Sequence, residues 1–193
     1  MNQRVLRVIV LAGASLAAGC ANFQAHKLPI VQDHEFRVAN AGKVKIFSRW
    51  KVESSSVLTN KDAAAAIYKS AFEKEIRESG CCEIVEGPTE ANLIVDGTAI
   101  DHADASVMLP AFITGFSLYT IPSWVTQEMD IKVKTSAGNK NSSYELNDSF
   151  TLVQWLPMMF AFPFTGGQEK NRQELHANTF RSLIVKLKKD AYI

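Results

Sequence analysis

Cysteine is scarce in this chain, with three residues in 193. That excludes a small scaffold knitted by disulfides. A surplus of either charge is missing too, since 21 Lys and Arg face 20 Asp and Glu. A protein that holds nucleic acid by charge needs a basic excess, so no nucleic acid is expected as a partner. Ten Gly and six Pro are ordinary counts and exclude a collagen-like repeat. Hydrophobic content of 47% with so little net charge excludes a disordered tail. Histidine is limited to four scattered residues. The motifs of common catalytic sites are also missing. Gly115-Phe116-Ser117-Leu118-Tyr119 fails the last position of a nucleophile elbow, and there is no H-E-x-x-H, no phosphate loop and no dinucleotide fingerprint. Asp101-His102-Ala103-Asp104 holds groups able to bind metal or move a proton. It follows a strand pattern and reads as a solvated loop, with no second cluster to complete a site. No enzyme activity, metal or cofactor is expected.

What is present begins at the N-terminus. In MNQRVLRVIVLAGASLAAGC, Arg4 and Arg7 form a positive region, Val8 to Leu16 an apolar one, and Ala17, Ala18 and Gly19 lead into Cys20. That order reads as a secretory signal peptide over residues 1–19. The uncharged run Val8 to Ala25 is at the short end for a membrane span, and its Ala-, Gly- and Ser-rich second half anchors poorly. Leu16-Ala17-Ala18-Gly19-Cys20 resembles the bacterial lipobox, with Ala17 where Leu is commoner. The resemblance implies that Cys20 is lipidated and becomes the new N-terminus. The membrane is then a partner through acyl chains, worth about 0.8 kcal/mol per buried methylene. Ala21 stands where Asp commonly retains such proteins in the inner membrane, so the resemblance implies the periplasmic face of the outer membrane. Cleavage would leave 19 basic against 20 acidic residues. Cys81 and Cys82 are adjacent and read as two small residues opening a strand, because neighbouring Cα atoms lie closer than disulfide geometry usually allows.

Residues 20–35 carry no periodicity and read as the lipidated cysteine with a tether, followed by one domain over 36–193. Val44, Ile46, Trp50 and Val52 alternate with charged residues as in a half-buried strand. Residues 61–79 form an amphipathic helix, with Asn60 as cap, Ala64, Tyr68, Ala71, Phe72 and Ile76 on one face, and Gly80 as stop. CCEIVE, a turn at Gly87-Pro88 and the interior strand ANLIVDGTAI follow. Met129 to Leu152 alternate as a hairpin whose SAGNKNS loop looks too long for a two-residue turn. Residues 170–188 make a second helix, with Leu175, Thr179, Phe180, Leu183, Ile184 and Leu187 facing the core and His176 outside. Helices separated by a run of strands predict an α+β fold, a mainly antiparallel sheet of about five strands with two amphipathic helices on one face.

Two segments, 105–127 and 149–168, contain no charged residue. Together they hold six of eleven Phe, two of three Trp and four of six Pro. Pro110, Pro122, Pro157 and Pro163 argue against spanning helices. Three readings stand: a packed core, an apolar lobe that dips into the leaflet beside the anchor, or a groove for a partner or apolar ligand. Under the second and third, Phe112, Phe116, Trp124, Trp155, Phe160 and Phe162 are the contact residues. Leu118-Tyr119-Thr120-Ile121-Pro122, Tyr144-Glu145-Leu146-Asn147-Asp148-Ser149, Gln154-Trp155-Leu156-Pro157 and Phe162-Pro163-Phe164 resemble a group of uncharacterised proteobacterial lipoproteins. That resemblance brings no activity with it. The strand–helix–strand plan is similar to auxiliary lipoproteins of lipid transporters and to the curli-secretion lipoprotein, in topology only. The expected role is a non-enzymatic structural or accessory component with an envelope protein partner; the alternative is a carrier binding a lipid chain.

Overall fold

The computed structural model describes residues 20–24, 27–38, 44–55, 59–101, 108–118, 120–155, 157 and 168–193. Residues 1–19, read from sequence as a signal peptide, and His26, His102, Asp104, Phe160 and Phe162 lie outside them. The elements in order are β1 (Cys20–Gln24), α1 (Asp33–Phe36), β2 (Val44–Ser54), α2 (Lys61–Ser79), β3 (Cys82–Ile84), β4 (Leu93–Asp101), α3 (Met108–Phe116), β5 (Ser123–Ala137), β6 (Lys140–Gln154) and α4 (Gln168–Lys189). The fold is α+β. Its sheet has six strands in the order β1-β6-β5-β4-β2-β3. β1 with β6 and β4 with β5 are antiparallel, and β5 and β6 form a hairpin. β2 runs parallel to both β3 and β4, because α2 carries the chain back over the sheet between them.

The chain divides into two compact units where the sequence suggests a single domain. One comprises residues 1–25, 104–127 and 150–172, the other 26–103, 128–149 and 173–193. The hairpin strands and α4 supply residues to both.

The second unit is a two-layer structure. Ile46, Ser48 and Val52 of β2, Leu93, Val95 and Ala99 of β4, and Met129, Ile131 and Val133 of β5 are buried, while their sequence neighbours alternate outward. Both helices cover this face. Trp50 packs against Phe72 of α2 and Phe180 of α4, with ring centroids 5.4 and 5.2 Å away. Gly97 lies opposite Trp50 on β4, and a Cβ there would run into the indole ring. The ends of α2 follow from its caps. The Asn60 side chain accepts from the Ala63 amide at 3.1 Å, and Gly80 takes the left-handed conformation that stops the helix.

Three expectations are corrected. The hairpin turns through only Gly138 and Asn139, since Gly138 adopts a positive φ of 57° suited to the first position of a tight turn. Residues 20–35 are no loose tether. β1 pairs with β6, and the Lys27 and Val31 amides donate to Asp148 Oδ1 and Asn178 Oδ1 at 2.9 and 3.0 Å. Phe36 of α1 is fully buried. Cys81 and Cys82 are both buried and joined as a disulfide rather than standing as free thiols. Glu75 of α2 is buried as well, only 2% exposed. It accepts from Arg181 Nε at 2.7 Å, and Arg181 also reaches Glu78 and lies over the Phe36 ring. Burial raises the Glu75 carboxyl above its ordinary range, and Arg181 opposes that rise.

The C-terminus is fastened to the hairpin. Tyr144 donates to Asp190 Oδ2 at 2.6 Å and Tyr192 to Ser142 at 2.8 Å. Burial, together with the Asp190 bond, pushes the Tyr144 phenol up to about 12.

Candidate functional site

Several described residues of the first unit have the character of a core and the exposure of a surface. α3 reads MLPAFITGF, without a charged residue. Phe112 and Phe116 are one turn apart and stack on each other with centroids 6.2 Å apart. An i, i+4 aromatic pair ordinarily marks the buried stripe of a helix. Here the stripe is turned out. Phe112 is 69% and Phe116 85% exposed, with Ile113 also exposed, while Thr114 is fully buried. The packed-core reading therefore does not describe these residues.

The chain beyond α3 continues the pattern. Leu118, Ile121 and Trp124 are exposed, and Leu118 holds a positive φ of 53°, which costs a branched side chain about 1 kcal/mol or more. Polar groups of the turn satisfy one another. The Ser117 and Leu118 amides donate to the Ile113 and Gly115 carbonyls at 2.9 and 3.1 Å. The Ser117 hydroxyl donates to the Thr114 carbonyl at 3.0 Å and accepts from the Ile121 amide at 3.1 Å. Thr120 donates through its hydroxyl to the Ser117 carbonyl at 2.7 Å. Around this hydrogen-bonded loop Phe116, Leu118 and Ile121 stay exposed.

The pairing of β1 brings Cys20 into the same unit. Cys20 stands opposite Gln154, and Trp155, itself exposed, follows directly on β6. Thr126 of β5 and Thr151 of β6 join through their hydroxyl oxygens at 3.0 Å. Four of the six contact residues expected from sequence, Phe112, Phe116, Trp124 and Trp155, are thus exposed and belong to one unit with Cys20. Ile113, Leu118 and Ile121 of the same unit are exposed as well. Their presence in the same charge-free segment was the available signal.

Other candidates offer less chemistry. Asp101 accepts from the Ser54 and Thr59 hydroxyls at 3.0 and 3.4 Å, as a strand-end carboxylate does. An open groove of about 490 Å³ in the second unit is lined by Asp96, Lys134, Ser136, Asn141 and Ser143 among others. Asp96 is already held by Arg49 at 2.6 and 2.9 Å, and the polar lining gives an acyl chain no apolar enclosure. Among the described residues no helix is long and apolar enough to cross a membrane.

The fold thus defines a mixed sheet with two helices on one face and, among the described residues of the first unit, a set of exposed large apolar side chains. No protein-family model and no curated protein matches the chain. Solved structures similar to it include a PelC dodecamer variant from Paraburkholderia phytofirmans, at 10% identity and TM-score 0.40, covering 85% of this chain and 97% of that one. A hypothetical protein from Chlamydia trachomatis is similar at 10% identity and TM-score 0.38, with coverages of 76% and 96%. A DUF4136 family protein from Bacteroides thetaiotaomicron is similar at 10% identity and TM-score 0.29, with coverages of 88% and 96%. Likeness at this level carries no argument about function or assembly.

Proposed function

We propose that this protein is a non-enzymatic, lipid-anchored envelope lipoprotein at the periplasmic face of the outer membrane, acting there as a structural or accessory component. The observation that carries the reading is Cys20 itself. It closes the lipobox-like Leu16-Ala17-Ala18-Gly19-Cys20, and strand β1 begins at the same residue. Acyl chains on Cys20 would join the fold without a spacer, and β1 and the end of β6 would lie at the leaflet. Several chains on one cysteine hold a protein far more firmly than a single chain, at about 0.8 kcal/mol per buried methylene.

The test is metabolic labelling with palmitate followed by separation of inner and outer membranes. The wild-type protein should take the label and travel with the outer membrane, and Cys20→Ser should remain unlabelled. An unlabelled wild-type protein would overturn the reading.

A further inference from the structure

We infer that Phe112, Ile113, Phe116, Leu118, Ile121 and Trp124 form a docking surface for the phospholipid leaflet. The inference rests on the acylation of Cys20 proposed above, because that anchor names the surface these side chains meet.

Three observations favour lipid over a protein partner. First, the segment 105–127 contains no charge, so it carries no ion-pairing group to select one protein partner, and entering hydrocarbon costs it no desolvation of a charged side chain. Second, α3 is inside out. Water would favour Thr114 outside and the two phenyl rings inside, yet the threonine is buried and the rings are exposed. That orientation is unfavourable in water and is relieved where the surrounding medium is apolar. Third, the Ser117 and Thr120 hydroxyls and the amides of Ser117, Leu118, Thr120 and Ile121 find acceptors within the loop itself. Internal satisfaction of polar groups is what entry into hydrocarbon demands, and an aqueous protein surface places no such requirement.

Length sets the mode of contact. Nine residues of α3 make a helix about 14 Å long, against a hydrocarbon core of about 30 Å. Such a helix lies in the interface and does not span. Trp124 and Trp155 suit the headgroup level, where indole rings collect. The strained Leu118 extends the same surface, keeping an exposed isobutyl group at a backbone conformation usually left to glycine. Because the surface is uncharged, its attraction is to acyl chains rather than to anionic headgroups.

The experiment uses the full-length protein reconstituted in phosphatidylcholine vesicles with brominated acyl chains, read by tryptophan fluorescence. Bromine quenches only rings that enter the leaflet. The wild-type protein should be quenched, equally at low and high salt and with or without phosphatidylglycerol. Trp124→Phe should remove at least about half of the quenching, and Phe116→Asp should lower it comparably with every tryptophan retained. Trp124→Phe is conservative, so a failure of Phe116→Asp to fold would leave the test in force. Quenching that is absent, or is the same in wild type and Trp124→Phe, would overturn the inference. Palmitate labelling separates the two readings. Labelled but unquenched protein overturns the docking surface alone. Unlabelled but quenched protein removes the acyl anchor and supports the surface. A protein neither labelled nor quenched overturns both.

Discussion

Helices α3 and α4 carry side chains of the same kinds and turn them in opposite directions. In α4, Leu175, Phe180, Leu183, Ile184 and Leu187 are buried, and Lys186, Lys188 and Lys189 crowd the C-terminal turn, where they complement the helix dipole. In α3 the phenyl rings are outside, a threonine is inside, and no charge caps either end. A helix whose apolar stripe meets a sheet is stabilised by leaving water. A helix whose apolar stripe faces outward gains nothing from water and gains on meeting lipid. On the inference drawn above, the difference between these two helices is one of intended solvent, and it can be tested by making similar substitutions in each.

The largest effect belongs to the α4 side. Phe180 is fully buried and touches Trp50 and Phe72 edge-on, with centroids 5.2 and 5.7 Å away. Phe180→Ala should cost about 4 kcal/mol, since the lost transfer energy is joined by an unfilled cavity among rigid rings. Urea unfolding of the lipid-free protein measures it. A cost below about 1 kcal/mol would mean that the two-helix face is not the stabilising core, and the contrast with α3 would collapse.

That face was readable from spacing because its information is local. All six α4 positions expected inside are buried, and α2 runs from Lys61 to Ser79 as its cap and stop residues indicate. Features built from distant pairs were not readable. β1 is five residues long, and its partner strand lies some 130 residues away, so no periodicity announces it. The burial of Glu75 is of the same kind, since its compensating Arg181 is 106 residues distant. The apolar surface posed a different difficulty. Phe112 and Phe116 have the spacing of a core stripe, and spacing states which residues share a face but not what the face meets. Adjacency argues against a bond between Cys81 and Cys82, and the structure closes one nevertheless.

The second effect concerns charge. α4 brings a cation into a half-buried position and answers it with carboxylates, whereas α3 excludes charge altogether. Arg181→Met leaves Glu75 buried without its partner, at a cost of about 3 kcal/mol near neutral pH. The sign of the pH dependence follows from Glu75. Its carboxyl is already raised by burial, and losing Arg181 raises it further. A carboxyl raised in the folded state favours folding while protonated and loses that contribution as pH rises through its folded value. The penalty of Arg181→Met should therefore shrink as pH is lowered from 8 toward 5, and Glu75→Gln in the same chain should remove most of the dependence. A penalty that is flat with pH would mean that Arg181 acts through its packing on Phe36 rather than through its charge.

The smallest effect is the one that isolates α3. Phe116 is 85% exposed and touches only the neighbouring Phe112 ring among the described aromatic contacts. Phe116→Ala in lipid-free protein should change unfolding free energy by no more than about 0.5 kcal/mol, the range of substitutions at uninvolved surface positions. Removing the ring also takes apolar surface out of water, so the lipid-free variant should aggregate less than wild type in light scattering. The same truncation at Phe180 and at Phe116 would then differ about eightfold in its effect on stability. A loss above about 1.5 kcal/mol for Phe116→Ala would show that the ring packs against protein after all. In that event α3 would be an ordinary amphipathic helix with its core face inward, and the contrast with α4 would have no physical basis.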